Sequence, residues 1–503
     1  MKKTLLQSFM IVSLLGVVAC STDDGLKTQE NPAVTNFERD TLSHDQIKNA
    51  IDAVNREGGE FAWSKGSNQL LWSAIVSGNN LVSIGFGDNK DDFDKGNSLK
   101  AEKYRSEIIQ IIQQNEGKSI DELLLYESEF LNIMDVKIEK RETFIALLNQ
   151  KGIRYIEPAD FHYFTASELN RSSGGGSGCG YNKETIAAAD YTTVTPNAKV
   201  PWNFYKHNIP SAWNYSTGAG ITIGVVDTGL SNEQSLMNAS FNSGVSSGRT
   251  RYSYGVYVDS AWPWVTSPFD GANDLCGHGS NMSAVATAPR NNAGQPVGVA
   301  YNSNLIVYRA SKNVVLDDYH EQLGVETAFT RLANNTNVKV ISMSMGHILS
   351  VGRIEDAVKY AYGKGKFIVT AGGTSTTFTN FVGVIFPAWM PEVVAATGIK
   401  DNGYTECDVC HKGSKIDFAV VMEKATTGAH VPVLSYYNGY ANYSGGSSIA
   451  TATTAGMAAL IWSKYPTYTR AQVLAKMKAA SAYPTTRHAN FGHGTVNVLK
   501  AVQ

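Results

Sequence analysis

An aspartate, a histidine and a serine follow one another along this 503-residue chain, each set among small residues. The three stretches are Gly224-Val225-Val226-Asp227-Thr228-Gly229, Gly277-His278-Gly279 and Gly446-Ser447-Ser448-Ile449-Ala450. A hydroxyl becomes a nucleophile when an imidazole takes its proton, and a carboxylate on the other ring nitrogen fixes the imidazole's tautomer and steadies its charge. Asp227, His278 and Ser448 are the residue types for that work. Asp227-Thr228-Gly229 also spells half of a carboxylate dyad, but a single-chain dyad needs two such tripeptides and the chain has one. Acyl transfer through a serine is the chemistry that remains.

The elements that must hold these residues are legible nearby. Ile221 to Val226 is a short apolar, β-branched run of the kind expected for a buried parallel strand, and it delivers Asp227 at its C-terminal end, where open α/β sheets build their sites. His278 stands at a glycine-flanked helix start, before a small-residue run that ends at Pro289. Ser448 opens a second such run, Ile449 to Leu460, which reads as a buried helix. Apolar strands alternating with helical segments imply an α/β fold.

The order Asp, His, Ser matches the subtilisin arrangement, and the chain from about 196 to 500 resembles the subtilisin-like (subtilase) serine peptidases. Ile209-Pro210-Ser211-Ala212-Trp213 with Thr217-Gly218-Ala219-Gly220 is similar to the lead-in to that family's Asp strand. Val297-Gly298-Val299-Ala300, Leu305-Ile306-Val307-Tyr308 and Phe491-Gly492-His493-Gly494-Thr495-Val496-Asn497 resemble its "GVA" turn, its next buried strand and its C-terminal "YGxGxxN" stretch. Gly446-Ser447-Ser448-Ile449-Ala450 resembles "GTSMA", with Ser448 as nucleophile. The resemblance implies a parallel, doubly wound sheet with flanking helices, and Asp227, His278 and Ser448 as catalytic residues. It also implies that Ser344-Met345-Gly346, with Ala371 and Gly372, bind the substrate backbone.

There are departures. Ser280 and Asn281 follow the His motif where the family usually has Thr and His, and Ala452-Thr453 replace a Pro-His pair. The family strand ending "AAGN" carries an oxyanion-binding Asn, whereas here Ala371-Gly372-Gly373 puts Gly373 in its place. Loss of that donor costs roughly 10²–10³ in turnover, as measured for subtilisin. The N–H of Ser448 remains as an oxyanion donor, with Thr374 and Ser375 nearby. Gly373→Asn is therefore expected to restore a donor.

Upstream, Lys2-Lys3 and an apolar stretch from Leu5 to Ala19 read as a signal peptide, too short for a mature membrane span. Val17-Val18-Ala19-Cys20 resembles a lipobox, with Cys20 as the lipidated residue, and residues 21–40 read as a polar tether. Residues 41–165 read as a small α+β unit. Ser43-His44-Asp45-Gln46 opens a helix through about Arg56, and Leu70 to Ile75 with Leu81 to Phe86 flank a hairpin signal at Ser77-Gly78-Asn79-Asn80. Arg154-Tyr155-Ile156-Glu157-Pro158 resembles the close of a subtilase inhibitory propeptide. A Gly/Ser-rich linker and processing region, 166–195, leads to the peptidase domain, 196–503.

Four cysteines follow Cys20, namely Cys179, Cys276, Cys407 and Cys410, and three pairings are open. Cys407-Asp408-Val409-Cys410-His411 matches a haem-attachment pattern, but a local disulfide or free thiols suit a loop of this fold better. No Asp-rich loop names calcium ligands, although the family often binds calcium. A net charge of −2 argues against a nucleic-acid surface. The expected partners are a protein or peptide substrate, the chain's own propeptide and a membrane reached through the lipid anchor, placing the protein at the bacterial outer membrane or cell surface. The rival reading is a catalytically impaired surface-binding lipoprotein of the same fold, and Gly373 is its support.

Overall fold

The computed structural model describes residues 41–57, 59–165, 168, 179–374 and 383–503. The signal stretch, Cys20, the tether, linker residues 166–167 and 169–178, and Ser375 lie outside the described residues. Asp40–Gln503 forms one compact unit.

The N-terminal part of that unit is an antiparallel sheet of β1 (Leu81–Phe86), β2 (Leu124–Glu127), β3 (Ile133–Lys137) and β4 (Ile153–Pro158), in the order β2-β3-β1-β4. Helix His44–Arg56 begins with the expected capping box at Ser43. The hairpin expected across Ser77–Asn80 does not form, because Asn68–Ser77 is a helix. A short apolar run does not distinguish a strand from a buried helix. Here Ser67 accepts the Leu70 N–H at 3.1 Å and caps a helix whose Leu70–Ile75 stretch is buried. Asn79 and Asn80 then take positive φ (57° and 58°) and turn the chain into β1, whose partners are β3 and β4.

A two-stranded ribbon, β5 (Tyr191–Val194) and β6 (Ala198–Pro201), leads into the main sheet. That sheet holds β7 (Thr222–Asp227), β8 (Arg251–Gly255), β9 (Asn304–Arg309), β10 (Val338–Met343), β11 (Phe367–Ala371), β12 (Val394–Lys400) and β13 (Phe418–Glu423). All seven strands are parallel, in the order β13-β12-β11-β10-β7-β9-β8. The winding direction reverses at β7, so the C-terminal end of β7 is the topological switch point, where sheets of this kind open a crevice. Asp227 occupies that end. One face is covered by the helices His278–Thr287 and Gly446–Lys464, and their Ala, Ile and Met side chains merge with those of β7, β9 and β11 into one core.

The other face carries helices Tyr319–Asn334 and Gly352–Gly363, and the N-terminal sheet docks on these. The contact is charged and dry. Arg353, 2% exposed, ion-pairs with Asp135 of β3 and donates to Glu326 at 3.0 Å. Tyr319 donates to the other Asp135 oxygen, and Ser128 and Tyr126 donate to Glu326. Arg154 grips Asp356 through both terminal nitrogens, at 2.9 and 2.6 Å. Arg353–Asp135 and Arg154–Asp356 join the two sides of the contact, so docking in a shifted register leaves buried ions without their partners.

Glu157 of β4 accepts the Gly352 N–H at 2.7 Å in the same contact. Burial pushes its carboxyl from 4.5 up to about 8, with Glu355 and Asp356 adding to the rise and the Gly352 amide and Arg353 opposing it. The docked state therefore holds a proton that the separated state loses, so this contribution to docking is complete below about pH 4.5 and lost as pH rises through about 8. Denaturant titrations of the full chain at intervals from pH 5 to 9 should show weakening docking, and Glu157→Gln should flatten that slope. An equal slope in both proteins would assign it to other groups.

Candidate active site

Asp227 is wholly buried, and its Oδ1 accepts the Thr228 N–H at 2.8 Å and the His278 Nδ1–H at 2.7 Å. That bond places the ring proton on Nδ1 and leaves the Nε2 lone pair free to act as a base. Burial pulls the His278 pKa down, but the charge and hydrogen bond of Asp227, with help from Asp274, outweigh it and the net shift is upward. His278 opens its helix, and Gly279 has to be glycine because a Cβ there would lie 2.4 Å from the Gly229 carbonyl oxygen.

Asp274 has no sequence signature, yet it organises this turn. Its Oδ1 accepts from Thr228 Oγ1 (2.9 Å), Cys276 N (2.9 Å) and Gly277 N (2.7 Å), and its Oδ2 from Ser280 N (2.9 Å) and Ser280 Oγ (2.7 Å). Thr228 Oγ1 also accepts the Gly279 N–H, and Ser280 Oγ accepts the Ser231 N–H. The departure at Ser280 is thus part of the network rather than a packing change. The disulfide Cys179–Cys276 ties the linker region to this turn.

Ser448 lies in the first turn of helix Gly446–Lys464, half-buried, and its helix packs on the His278 helix. First-turn amides have no carbonyl partner within their helix, so the Ser448 N–H is available to an anion. Ser344 Oγ donates to the Ser448 carbonyl at 3.2 Å. Among the described residues no hydrogen bond joins the Ser448 hydroxyl to His278, a bond that commonly tightens only when substrate is bound.

The oxyanion corner differs from expectation. Gly373 has φ +124°, and a Cβ there would lie 2.4 Å from His411 Nδ1. His411 is buried, its pKa lowered by burial to about 4, and its ring has no hydrogen-bond partner of ordinary geometry, although the Gly383 backbone is close enough to oppose the shift. Cys407 and Cys410 form a disulfide, which removes the thiols a haem would need and sets His411 in the turn against Gly373. Gly373 N donates to Ser447 Oγ at 3.2 Å, and Thr374 Oγ1 lies 3.1 Å from the same oxygen and accepts the Ser447 N–H. Thr374 is therefore the hydroxyl stationed beside the nucleophile's turn.

The peptide-binding edge expected at Ser344, Met345 and Gly346 is engaged within the fold at Gly346. All three are buried, and Gly346 donates its N–H to the Val314 carbonyl (3.1 Å) while its own carbonyl accepts from Leu316 N (3.0 Å). Ala371 is paired with Ala396 in the sheet, and Gly372 donates to the Ala396 carbonyl and accepts from Ile385 N. Main-chain groups already bonded within the fold are not free to pair with a peptide. The calcium expectation finds no support, since among the described residues no three His, Cys, Asp or Glu converge.

The profile of the subtilase family (Peptidase_S8) matches residues 218–494. A thermostable alkaline protease of Halalkalibacterium halodurans is 28% identical over 62% of this chain and 75% of its own. Thermitase of Thermoactinomyces vulgaris is 27% identical over 59% of this chain and 94% of its own. Among solved structures, MycP1 from the ESX-1 type VII secretion system is 20% identical with a TM-score of 0.48, covering 65% of this chain and 93% of that one.

The geometry at Gly373 reverses the sequence expectation for Gly373→Asn. A side chain would have to displace the His411 ring from a backbone conformation that L-residues rarely adopt. The variant should melt lower and turn over more slowly than the parent. A stable variant with raised turnover would restore the simple vacant-donor account.

Proposed function

The chain belongs to the subtilase family and is a subtilisin-like serine protease, and from that premise we propose that it is an exported endopeptidase made as a zymogen and working through Asp227, His278 and Ser448. The 2.7 Å bond between Asp227 and His278 carries the reading, since it leaves His278 Nε2 as the base in front of the Ser448 helix. In this reading His278 takes the Ser448 proton as its oxygen attacks the scissile carbonyl, then gives it to the leaving amine. Asp227 steadies the imidazolium formed in between. The Ser448 N–H at the helix terminus holds the oxyanion, with the Thr374 hydroxyl against the neighbouring Ser447.

The docked N-terminal unit is read as the propeptide. Its buried ion pairs to helix Gly352–Gly363 and its hydrogen bonds to helix Tyr319–Asn334 support a unit that stays attached until the linker is cut. Cys20 is read as a lipid anchor holding the precursor at the outer membrane or cell surface, and the substrate as a protein or peptide. The binding-lipoprotein alternative loses its footing because Gly373 accommodates His411, which accounts for the glycine without invoking loss of activity.

A fluorophosphonate probe should label Ser448 alone, and Ser448→Ala should remain full length while the parent converts to a product near the size of residues 180–503. Labelling of another residue, or equal conversion of both proteins in a protease-free host, would overturn this assignment. Cys20→Ala should move the precursor out of the membrane fraction, because stable anchoring takes multiple acyl chains on that residue. An unlipidated parent precursor by mass spectrometry would remove the anchor.

A further inference from the structure

The closed edge at Gly346 raises the question of what holds a peptide's acyl side. Beyond Asp227 β7 stops, and the continuations of its neighbours, Val314–Leu316 after β9 and Gly346 after β10, pair directly with one another in parallel. His347 is engaged on its other side by two main-chain bonds with Phe386, at 3.0 and 2.9 Å. Gly346 and His347 thus offer no free backbone edge at this level.

The residue that follows the closing segment does offer acceptors. Asp317, 2% exposed, receives two consecutive main-chain N–H groups from the end of the N-terminal unit. Tyr163 N donates to Oδ1 at 2.9 Å and Phe164 N to Oδ2 at 3.0 Å. His347 Nε2 lies 2.9 Å from Oδ1 and holds the carboxylate in place, and the Leu349 N–H donates to its Nδ1. The Tyr163 and Phe164 rings stand edge-on to His347 and share an apolar cluster with Ile348 and Leu349. The fold has thus built a buried anionic clamp for two successive amides, with an apolar bed for their side chains.

We propose that Asp317 is the positioning residue for the acyl side of bound peptides, taking the place of the closed Gly346 edge. The inference rests on the peptidase reading above. When the N-terminal unit departs, Oδ1 keeps His347 but loses the Tyr163 amide and Oδ2 loses the Phe164 amide, so the carboxylate is left oriented with acceptor capacity for two main-chain donors. An extended peptide restores both bonds with two consecutive N–H groups, and apolar or aromatic side chains at those positions fill the space left by Tyr163 and Phe164. The same clamp serves the propeptide first and substrate afterwards.

The test compares parent and Asp317→Asn after processing from the full chain. One substrate is a single-residue acyl ester, too short to reach Asp317, and the competitor is a synthetic peptide of residues 159–165. The amide keeps the size of the carboxylate but offers one weaker acceptor oxygen, so the peptide's inhibition constant relative to the ester's KM should rise about tenfold. Peptide inhibition that is unchanged, or that weakens only in step with ester binding, overturns the proposal. No ester hydrolysis by the parent would sink the peptidase reading instead. Asp317 would then be judged in the full chain by hydrogen exchange, where loss of protection at the Tyr163 and Phe164 amides supports the clamp and retained protection overturns it.

Discussion

The cleft depends on a buried carboxylate that takes no part in bond making. Asp274 collects five hydrogen bonds from Thr228, Cys276, Gly277 and Ser280, and so joins the turn after β7 to the start of the His278 helix. A buried charge is stable only when its hydrogen-bonding capacity is met, and meeting it here permits one arrangement of the two segments. That arrangement leaves Asp227 and His278 at 2.7 Å. The imidazole's tautomer, its raised basicity and its direction all follow from a network in which Asp274 is the hub.

A second set of buried charges joins the N-terminal unit to the enzyme. Arg353 stands between Asp135 and Glu326, and Arg154 faces Asp356. Apolar docking alone would tolerate sliding, whereas bidentate and shared ion pairs fix register, because each misplacement strands a charge away from water. The register matters. It brings Tyr163 and Phe164 onto Asp317, next to the segment that closes the Gly346 edge. The charged docking surface and the carboxylate clamp act together to aim the end of the N-terminal unit.

Two departures from the family pattern have local causes. Gly373 is glycine because its backbone takes a positive φ and the His411 ring occupies the space a side chain would need. Gly346 is bonded on both main-chain atoms because the continuations of β9 and β10 come together where β7 has ended. In both places a group that the family pattern would leave for substrate is used within the fold, and a polar side chain, Thr374 in one case and Asp317 in the other, lies close by.

Much of this was legible in the chain itself. The apolar run ending on Asp227, the glycines around His278 and the small-residue run after Ser448 point to the α/β fold, because strand period, close approach and helix packing each restrict residue type locally, and the likeness of these stretches to the subtilase motifs singles out the three residues expected at the site. The apolar run at Leu70–Ile75 was read as a strand, since burial on all sides erases the periodicity that separates strand from helix. Asp274 and Asp317 carry no signal at all, as an isolated Asp in a loop looks alike whether solvated or clamped, and His411 stands out only within a haem-attachment pattern that the Cys407–Cys410 disulfide removes. The Cys179–Cys276 pairing, the occupant of the space beside Gly373 and the engagement of Gly346 depend on segments remote in sequence meeting in space. Local residue preferences carry no record of such meetings, so only the tertiary structure decided them.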